Sequence, residues 1–302
     1  MERKKLRGIV PPMVTPLKDG DTLDGDGLEK LLERMIAGGV HGMFLLGSTG
    51  EAPSLSYRLR REVIETSCRI IRGRLPVLVG ISDTAFDESL ALAQVAADAG
   101  ADAVVVAPPF YFPIQGQELI RYYRKLAKAL PLPMILYHMP DLTKVKFDLD
   151  VVRFAVDMPE ILALKDSSGD LDFFWRACHI TQPREDFSVL VGPEHLLAPA
   201  MRLGGDGGVN GGANLFPELF VQMYHAVLAG DISRIDILQT KIDQLGEIYH
   251  VARGGMGVCR GIKYALQCLG ICREMPAEPF GVLDEEERRE IERIITHIKN
   301  NE

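Results

Sequence analysis

The chain alternates short apolar segments with longer segments of helical periodicity, and this alternation restricts the fold more than any other feature. Because successive residues of the apolar segments are hydrophobic, they resemble strands buried on both faces, as in a parallel sheet. Eight strands are predicted, at residues 8–15, 41–46, 75–81, 102–107, 132–137, 161–165, 187–191 and 206–210. This number favours an α/β fold that closes as a (β/α)₈ TIM barrel over an open doubly wound sheet. No G-x-G-x-x-G pattern follows the first strand, which weakens the dinucleotide-binding form of the open sheet.

The sequence from Pro217 onward is helical, with no strand between the helices. Helices are predicted there at residues 218–229, 232–251, 257–269 and 285–299. We therefore expect a (β/α)₈ barrel domain at residues 1–225 and a C-terminal helical extension at residues 226–302 that packs on the barrel.

Composition and charge exclude several classes of protein. The net charge is −8 and no long run of lysine and arginine occurs, which argues against a nucleic-acid partner. Charged residues interrupt every apolar stretch, so we expect no transmembrane helix and no membrane partner. The five cysteines are odd in number and lack C-x-x-C spacing, which predicts buried thiols of a reducing compartment. The start, MERKKLRG, is not followed by the apolar core of a signal peptide, so we expect a cytoplasmic protein.

Lys165 lies at the end of the apolar run Ile-Leu-Ala-Leu. A lysine is rarely buried at such a position unless it has a partner or a chemical role. One reason is structural: an ion pair with Asp166 or another acid, with the side chain reaching water. The other is chemical. Low-dielectric surroundings lower the pKa of a lysine, and the neutral amine attacks carbonyl groups to form a Schiff base.

Other polar residues follow the carboxyl ends of predicted strands, where a barrel places its chemistry. They are Ser48, Thr49, Tyr111 and Tyr137. The turn Gly-Ser-Thr-Gly presents successive backbone N–H groups, which suit a small anion such as a carboxylate, although a plain tight turn has the same composition. Tyr137 is either a buried tyrosine with one hydrogen bond or a general acid/base close to Lys165.

Three motifs carry a resemblance to a known superfamily: GSTGE at 47–51, YHMP at 137–140 and KDSSGD at 165–170. Together they resemble the pyruvate-dependent class I aldolases that include N-acetylneuraminate lyase and dihydrodipicolinate synthase. The resemblance extends from residue 8 to residue 214 and implies a TIM barrel. It also implies that no metal and no organic cofactor is needed. The seven histidines show no paired i, i+4 ligand spacing, which argues independently against a metal-dependent aldolase.

The resemblance implies a role for several residues. Lys165 would form the imine with a 2-keto acid, and Tyr137 would shuttle protons. Thr49 would link Tyr137 to Tyr111, which in this family reaches in from a neighbouring subunit, so a homotetramer or dimer of dimers is implied. The N–H groups of Ser48 and Thr49 would hold the substrate carboxylate, and Val209 would line the pyruvate pocket.

Some positions depart from the pattern of dihydrodipicolinate synthases. Leu142 occupies the position where those enzymes have an arginine that holds the carboxylate of the aldehyde substrate, and neuraminate lyases also have leucine there. Lys144 is either a substitute positive charge or a solvated loop lysine. His138 is either a packing residue or a substrate contact. Ser167 and Glu194 are candidates for contacts to sugar hydroxyls, although a carboxylate at Glu194 also suits a helix N-terminus.

We therefore expect a carbon–carbon lyase, a class I aldolase that cleaves or forms a 2-keto acid with pyruvate as one partner. It resembles N-acetylneuraminate lyase or 2-keto-3-deoxy sugar-acid aldolases. The alternative is a dihydrodipicolinate synthase, which condenses pyruvate with aspartate semialdehyde. A non-catalytic ligand-binding barrel is the rival from another class, because a fold alone does not determine function.

Overall fold

The computed structural model describes residues 5–300 and contains a closed parallel β-barrel. Its strands are β1 (Gly8–Ile9), β2 (Met43–Leu45), β3 (Val77–Gly80), β4 (Ala103–Val106), β5 (Met134–His138), β6 (Ile161–Asp166), β7 (Ser188–Val191) and β8 (Gly207–Gly208). Neighbours in sequence pair in parallel from β2 to β8, and β8 pairs with β1. The bridge Pro12–Phe44, just after β1, closes the circle: the Phe44 N–H donates to the Pro11 carbonyl and the Met13 N–H to the Phe44 carbonyl, both at 2.9 Å. The predicted TIM barrel is thus confirmed.

Helices cover the outside of the barrel. They are α1 (Gly25–Ala37), α2 (Tyr57–Ile71), α3 (Phe86–Asp98), α4 (Gly116–Ala129), the short α5 (Pro140–Thr143), α6 (Leu149–Asp157), α7 (Leu171–Thr181), α8 (Leu197–Arg202) and α9 (Pro217–Ala229). Side-chain caps begin several of them: Ser56 accepts from the Leu59 N–H, and Asp170 accepts from the Phe173 N–H. The helices bury one apolar face each against the strands, because both faces of a parallel strand must be covered.

The barrel interior has its own apolar cluster, separate from the layer under the helices. Alternate strand residues point inward, as the period of two requires. The members are Val10, Phe44, Leu78, Ala103, Val105, Ala107, Ile135, Tyr137, Ala163, Leu190 and Val209. Two of them, Tyr137 and Val209, are residues that the sequence assigns to the site.

The C-terminal extension consists of α10 (Ile232–Gly246), α11 (Ile248–Val251), α12 (Gly257–Cys268) and α13 (Glu285–Asn300). It packs on the barrel: α10 contacts α9 and the 3₁₀ turn Glu194–Leu196, and α12 contacts the 3₁₀ turn Gly211–Asn214. The boundary expected at residue 225 lies inside α9, which packs against β1 as the last helix of the barrel.

Other details differ from the sequence prediction for local reasons. The strand predicted at residues 8–15 is shorter, since Pro11 and Pro12 have no N–H to donate to a ladder. A small antiparallel hairpin of Leu17–Asp19 and Thr22–Leu23 was missed, because its strands are short and half polar. The helix predicted at 232–251 ends at Gly246 and resumes at Ile248. Within residues 5–300, no helix has the length and apolarity to cross a membrane.

Candidate active site

Lys165 and Tyr137 lie side by side at the carboxyl ends of adjacent strands. In the ladder between β5 and β6, Tyr137 is the register partner of Lys165. The ammonium nitrogen Nζ of Lys165 lies 4.0 Å from the centroid of the Tyr137 ring and 4.9 Å from that of Phe44. The strand positions predicted for the two residues thus bring the amine and the phenol together inside the barrel.

The surroundings of Lys165 favour its neutral form. The residue is only 5% exposed. Burial lowers the pKa of its amine below the ordinary value, and the interaction with Tyr137 offsets part of that shift. Within residues 5–300, no carboxylate forms an ion pair with Lys165, so the ion-pair interpretation of this lysine is not supported. The adjacent Asp166 is instead bound to His138.

The lowered pKa makes a prediction about stability. The folded chain holds the Lys165 proton less tightly than the unfolded chain. The charged lysine therefore lowers the free energy of unfolding at neutral pH, and this loss disappears as pH rises past the ordinary lysine pKa. We expect Lys165→Met to raise the free energy of unfolding at pH 7, and the gain to shrink with increasing pH. Urea unfolding of both proteins between about pH 7 and pH 10 measures this difference. A difference that does not change with pH contradicts it.

The turn Gly47–Glu51 follows β2 and brings Ser48 to Tyr137. Leu46 enters the turn with a φ of 55°, a left-handed conformation that is unusual for leucine. The conformation depends on Gly80 of β3, where a Cβ would lie 2.1 Å from the Leu46 carbonyl oxygen. The Oγ of Ser48 then lies 3.4 Å from the Tyr137 hydroxyl, within hydrogen-bond distance.

Some backbone N–H groups of this turn are not used in hydrogen bonds within it. The N–H groups of Gly50 and Glu51 donate back to the carbonyls of Gly47 and Ser48, at 3.1 and 3.0 Å. In the described part of the chain, the N–H groups of Ser48 and Thr49 donate to no protein acceptor. Two successive free N–H groups beside a buried amine are suited to hold a carboxylate.

The hydroxyl predicted to link Tyr137 to the proton relay is that of Thr49, whereas the hydroxyl at hydrogen-bond distance from Tyr137 within residues 5–300 is that of Ser48. Both residues are half-buried.

A fully buried ion pair anchors the same turn. Glu51 pairs with Lys263 of α12, and both side chains have no solvent exposure. The Glu51 Oε1 also accepts from the Ala277 N–H at 2.9 Å, and the Lys263 Nζ donates to the Met275 carbonyl at 2.8 Å. The extension therefore holds the last residue of the GSTGE motif through two contacts, from Lys263 and from Ala277.

Sequence reasoning missed Lys263, although a signal was present. Cys259, Ile262, Lys263 and Leu266 follow the i, i+3, i+4, i+7 pattern, so the lysine lies on the apolar face of α12. The same face supplies a further contact to the turn, because the Cys259 thiol donates to the Ser48 carbonyl at 3.4 Å.

His138 is a packing residue with a structural partner, which answers the question left open by the sequence. Its Nε2 accepts from the Phe147 N–H at 3.0 Å, so the proton is on Nδ1, which donates to Asp166 at 2.7 Å. The ring is fully buried and stacks on Phe147. Since His138 and Asp166 directly follow Tyr137 and Lys165, their bond ties the reactive ends of β5 and β6 together.

Tyr111 lies away from Tyr137 within the chain. It is 75% exposed, in the loop after β4, and its ring packs edge-on against Phe112. No hydrogen bond joins it to Thr49 or Ser48 within residues 5–300. The predicted relay is therefore not assembled by this single chain.

The remaining predicted substrate contacts divide into two groups. Val209 is buried in the interior cluster with Tyr137, and Ser167 lies half-buried after β6, against Gly192. Glu194 is buried away from the cavity described below and accepts from the Gly212 N–H at 2.8 Å. Burial raises the pKa of Glu194 to about 7, and the Gly212 N–H and the Tyr249 hydroxyl oppose that shift. Within residues 5–300 Glu194 thus has the Gly212 N–H as a hydrogen-bond partner, and its contact to sugar hydroxyls stays a prediction.

A cavity of about 260 Å³ adjoins the Tyr137 ring. We call it the apolar cavity. Its lining residues come from the strand ends and from the extension: Phe44, Leu46, Gly47, Ser48, Ala52, Pro53, Ser54, Gly80, Ser82, Ala107, Phe110, Tyr137, Met139, Leu142, Thr143, Met256 and Phe280. Lys144 is not among them, and its ammonium donates to the Asp141 carbonyl at 2.6 Å. The arrangement thus joins a buried amine, a phenol, a turn with two free N–H groups and an apolar cavity.

Solved structures and curated proteins share this architecture. The chain matches dihydrodipicolinate synthase from Bacteroides thetaiotaomicron at 48% identity with a TM-score of 0.94, over 97% of this chain and 98% of that one. It matches YagE from Escherichia coli K12, solved in complex with pyruvate, at 28% identity and a TM-score of 0.91, over 97% and 98%. Among curated proteins it is 34% identical to the probable 2-dehydro-3-deoxy-D-pentonate aldolase YjhH of Escherichia coli K12, over 89% of each chain.

A family comparison covers nearly the whole chain. Residues 5–298 match the model of the dihydrodipicolinate synthetase family, which includes the barrel and all the helices of the extension but the end of α13. The match contains the three motifs on which the resemblance was based, at 47–51, 137–140 and 165–170. On this evidence the chain belongs to the dihydrodipicolinate synthetase family.

Proposed function

We propose that the protein is a class I aldolase in which Lys165 forms a Schiff base with the keto carbon of pyruvate. The observation that carries the proposal is the buried Lys165 amine, whose pKa is lowered, beside the Tyr137 phenol. Membership of a family that contains aldolases and synthases supports a lyase. One solved relative, YagE, was crystallised with pyruvate.

The chemistry follows from these groups. The neutral amine attacks the keto carbon, and the resulting carbinolamine loses water to give an imine. Once protonated, the imine withdraws electrons from the neighbouring methyl carbon. That carbon then loses a proton, which converts the imine into an enamine. The enamine carbon attacks an aldehyde to form the C–C bond, and water then releases the 2-keto acid and regenerates Lys165. Cleavage is the same sequence in reverse.

Each proton transfer needs a group that can give and take a proton. We assign that role to Tyr137, with Ser48 as its hydrogen-bonded partner. The free N–H groups of Ser48 and Thr49 would hold the pyruvate carboxylate, with Val209 at the wall of the pocket. Ser167, at the end of β6, remains a proposed polar contact to substrate.

Tyr111 would complete the relay only from another subunit. Its exposure in the single chain and its place next to the exposed Phe112 support this arrangement. We therefore propose a homotetramer or dimer of dimers in which Tyr111 of one subunit approaches Ser48 of the next. We also propose that the enzyme is cytoplasmic.

The second substrate is an aldehyde. The name of YjhH suggests an aldehyde derived from a 2-keto-3-deoxy sugar acid, and N-acetylneuraminate lyases offer a similar precedent. Dihydrodipicolinate synthase activity, with aspartate semialdehyde, is the second candidate, supported by the name of the Bacteroides relative. Against it, Leu142 cannot bind a carboxylate in the bidentate manner of an arginine.

The experiment that tests the proposal is reductive trapping with pyruvate and borohydride. Borohydride reduces an imine to a stable secondary amine, and peptide mass mapping locates it. We expect a pyruvate-derived mass increment on the peptide that contains Lys165, and none when pyruvate is omitted. A folded protein that acquires no increment with pyruvate in excess overturns the proposal, as does an increment confined to another lysine.

Two variants distinguish which hydroxyl assists Tyr137. We expect Ser48→Ala to lower kcat by about 10- to 100-fold, less than loss of a general acid/base itself, because Ser48 acts through Tyr137. Thr49→Val keeps the backbone N–H and the shape of the side chain, so we expect a smaller decrease. Steady-state kinetics of the two variants at saturating pyruvate make the comparison. A larger loss in Thr49→Val would restore Thr49 as the link.

A further inference from the structure

The apolar cavity begins where the proposed imine would react. Phe44 and Tyr137, whose rings contact the Lys165 ammonium, are also part of its lining, and so is Ser48. An aldehyde that meets an enamine on Lys165 therefore has this chamber next to its carbonyl group. Phe280 and Met256, from the extension, line it as well.

In the described part of the chain, the cavity offers no cationic side chain to a negatively charged acceptor, and the free N–H groups beside it at Ser48 and Thr49 are those assigned to the pyruvate carboxylate. Among residues 5–300, no lysine, arginine or histidine lines it. Lys144 follows the cavity residue Thr143, and its ammonium donates a hydrogen bond to the Asp141 carbonyl. A carboxylate that entered would lose its hydration without an ionic partner, which is costly.

Within residues 5–300, two of its four serine and threonine side chains, Ser54 and Ser82, keep an O–H group to donate to a polyol. The Thr143 hydroxyl donates to the Met139 carbonyl at 3.0 Å. The Ser82 Oγ accepts from the Ala107 N–H at 2.8 Å and keeps one O–H to donate. Ser48 is engaged with Tyr137. A polyhydroxylated chain would thus leave most of its own hydroxyls unpaired against carbon, and each buried unpaired hydroxyl costs binding energy.

We propose that the apolar cavity binds the acceptor aldehyde, and that this aldehyde has an uncharged aliphatic or aromatic body. The inference rests on the proposed aldolase function and specifies its second substrate. A volume of about 260 Å³ equals roughly nine water molecules at ~30 Å³ each, so the acceptor is small, about the size of benzaldehyde. The preferred acceptor differs from the sugar-type aldehyde that the name of YjhH suggests.

A panel of three aldehydes of matched size tests this: benzaldehyde, erythrose and aspartate semialdehyde, each with saturating pyruvate and the full-length protein. We expect kcat/KM for benzaldehyde to exceed the other two by at least about tenfold, the scale at which apolar contacts discriminate between substrates. Equal or higher kcat/KM for erythrose or aspartate semialdehyde overturns the inference.

Trapping of the pyruvate imine in the same preparation separates the two proposals. A trapped imine with the wrong acceptor preference overturns the apolar acceptor and leaves the aldolase function standing. Absence of the imine overturns both.

A pair of variants tests whether the cavity wall determines the preference between benzaldehyde and aspartate semialdehyde. Leu142 lines it and is 52% exposed, so substitution there is tolerated by the fold. We expect Leu142→Arg to lower the kcat/KM ratio of benzaldehyde to aspartate semialdehyde at least about tenfold, by adding a bidentate partner for a carboxylate. Leu142→Gln, similar in length but uncharged, is the matched control and changes the ratio less. An equal ratio in wild type and Leu142→Arg contradicts the assignment of this wall to the acceptor.

Discussion

Substitution of Lys165 by methionine is expected to lower kcat by at least about 10⁴-fold and to abolish the pyruvate adduct that borohydride traps. Methionine has no amine to attack a keto carbon, and removal of a covalent nucleophile costs other enzymes about 10⁶-fold. The apolar surroundings of Lys165 suit the thioether, so the fold persists. Steady-state kinetics of the purified variant measure kcat, and peptide mass mapping after borohydride treatment detects the adduct.

Lys146→Met is the matched control for this substitution. The Lys146 side chain is 66% exposed and forms a surface ion pair with Asp170 at 3.4 Å. We expect the variant to keep the adduct on Lys165 and a rate close to that of wild type. Retained adduct and turnover in Lys165→Met would exclude Lys165 as the nucleophile.

Substitution of Lys263 by methionine is expected to lower the free energy of unfolding by about 3–5 kcal/mol. The change leaves the Glu51 carboxylate fully buried without its cation, and an uncompensated buried charge is strongly destabilising. Urea unfolding at neutral pH measures the loss as a lower midpoint.

The double variant Glu51→Gln/Lys263→Met provides the decisive comparison. Glutamine keeps a carbonyl oxygen for the Ala277 N–H and removes the unpaired charge. We therefore expect the double variant to be more stable than Lys263→Met alone. Arg153→Gln, which breaks an exposed ion pair with Asp150, is the control and should cost less than about 1 kcal/mol. If the double variant is no more stable than Lys263→Met, the unpaired Glu51 charge is not the cause of the lower free energy of unfolding.

Most of the barrel was predictable because its signals are local. Mainly apolar segments of five to eight residues between helices located all eight barrel strands, and Lys165 was placed at the end of its strand. The helices α9, α12 and α13 were predicted to within a residue at each end, since apolar periodicity acts over a few positions. The pairing of Tyr137 with Lys165 then followed from the parallel order of consecutive strands.

The remaining features depend on tertiary geometry that a local pattern does not contain. Ser48 and Thr49 are adjacent and chemically alike, so only the backbone of the turn decides which hydroxyl meets Tyr137. The position of Glu194 in the sequence suits a helix start or a sugar contact, and only the fold shows that its carboxylate accepts from the Gly212 N–H. The pairing of Glu51 with Lys263 joins residues more than two hundred positions apart, which no sequence window spans.

That long-range pairing also sets the order in which the enzyme can mature. A ribosome releases the GSTGE turn early, yet the turn gains its anchor only after Lys263 and Ala277 have been synthesised. At about 5–20 residues per second, the interval between residue 51 and residue 277 lasts roughly ten to forty-five seconds. Throughout that time the nascent barrel lacks the contacts that hold Ser48 against Tyr137. Competence for the proposed imine chemistry is therefore acquired only after residue 277 has been synthesised.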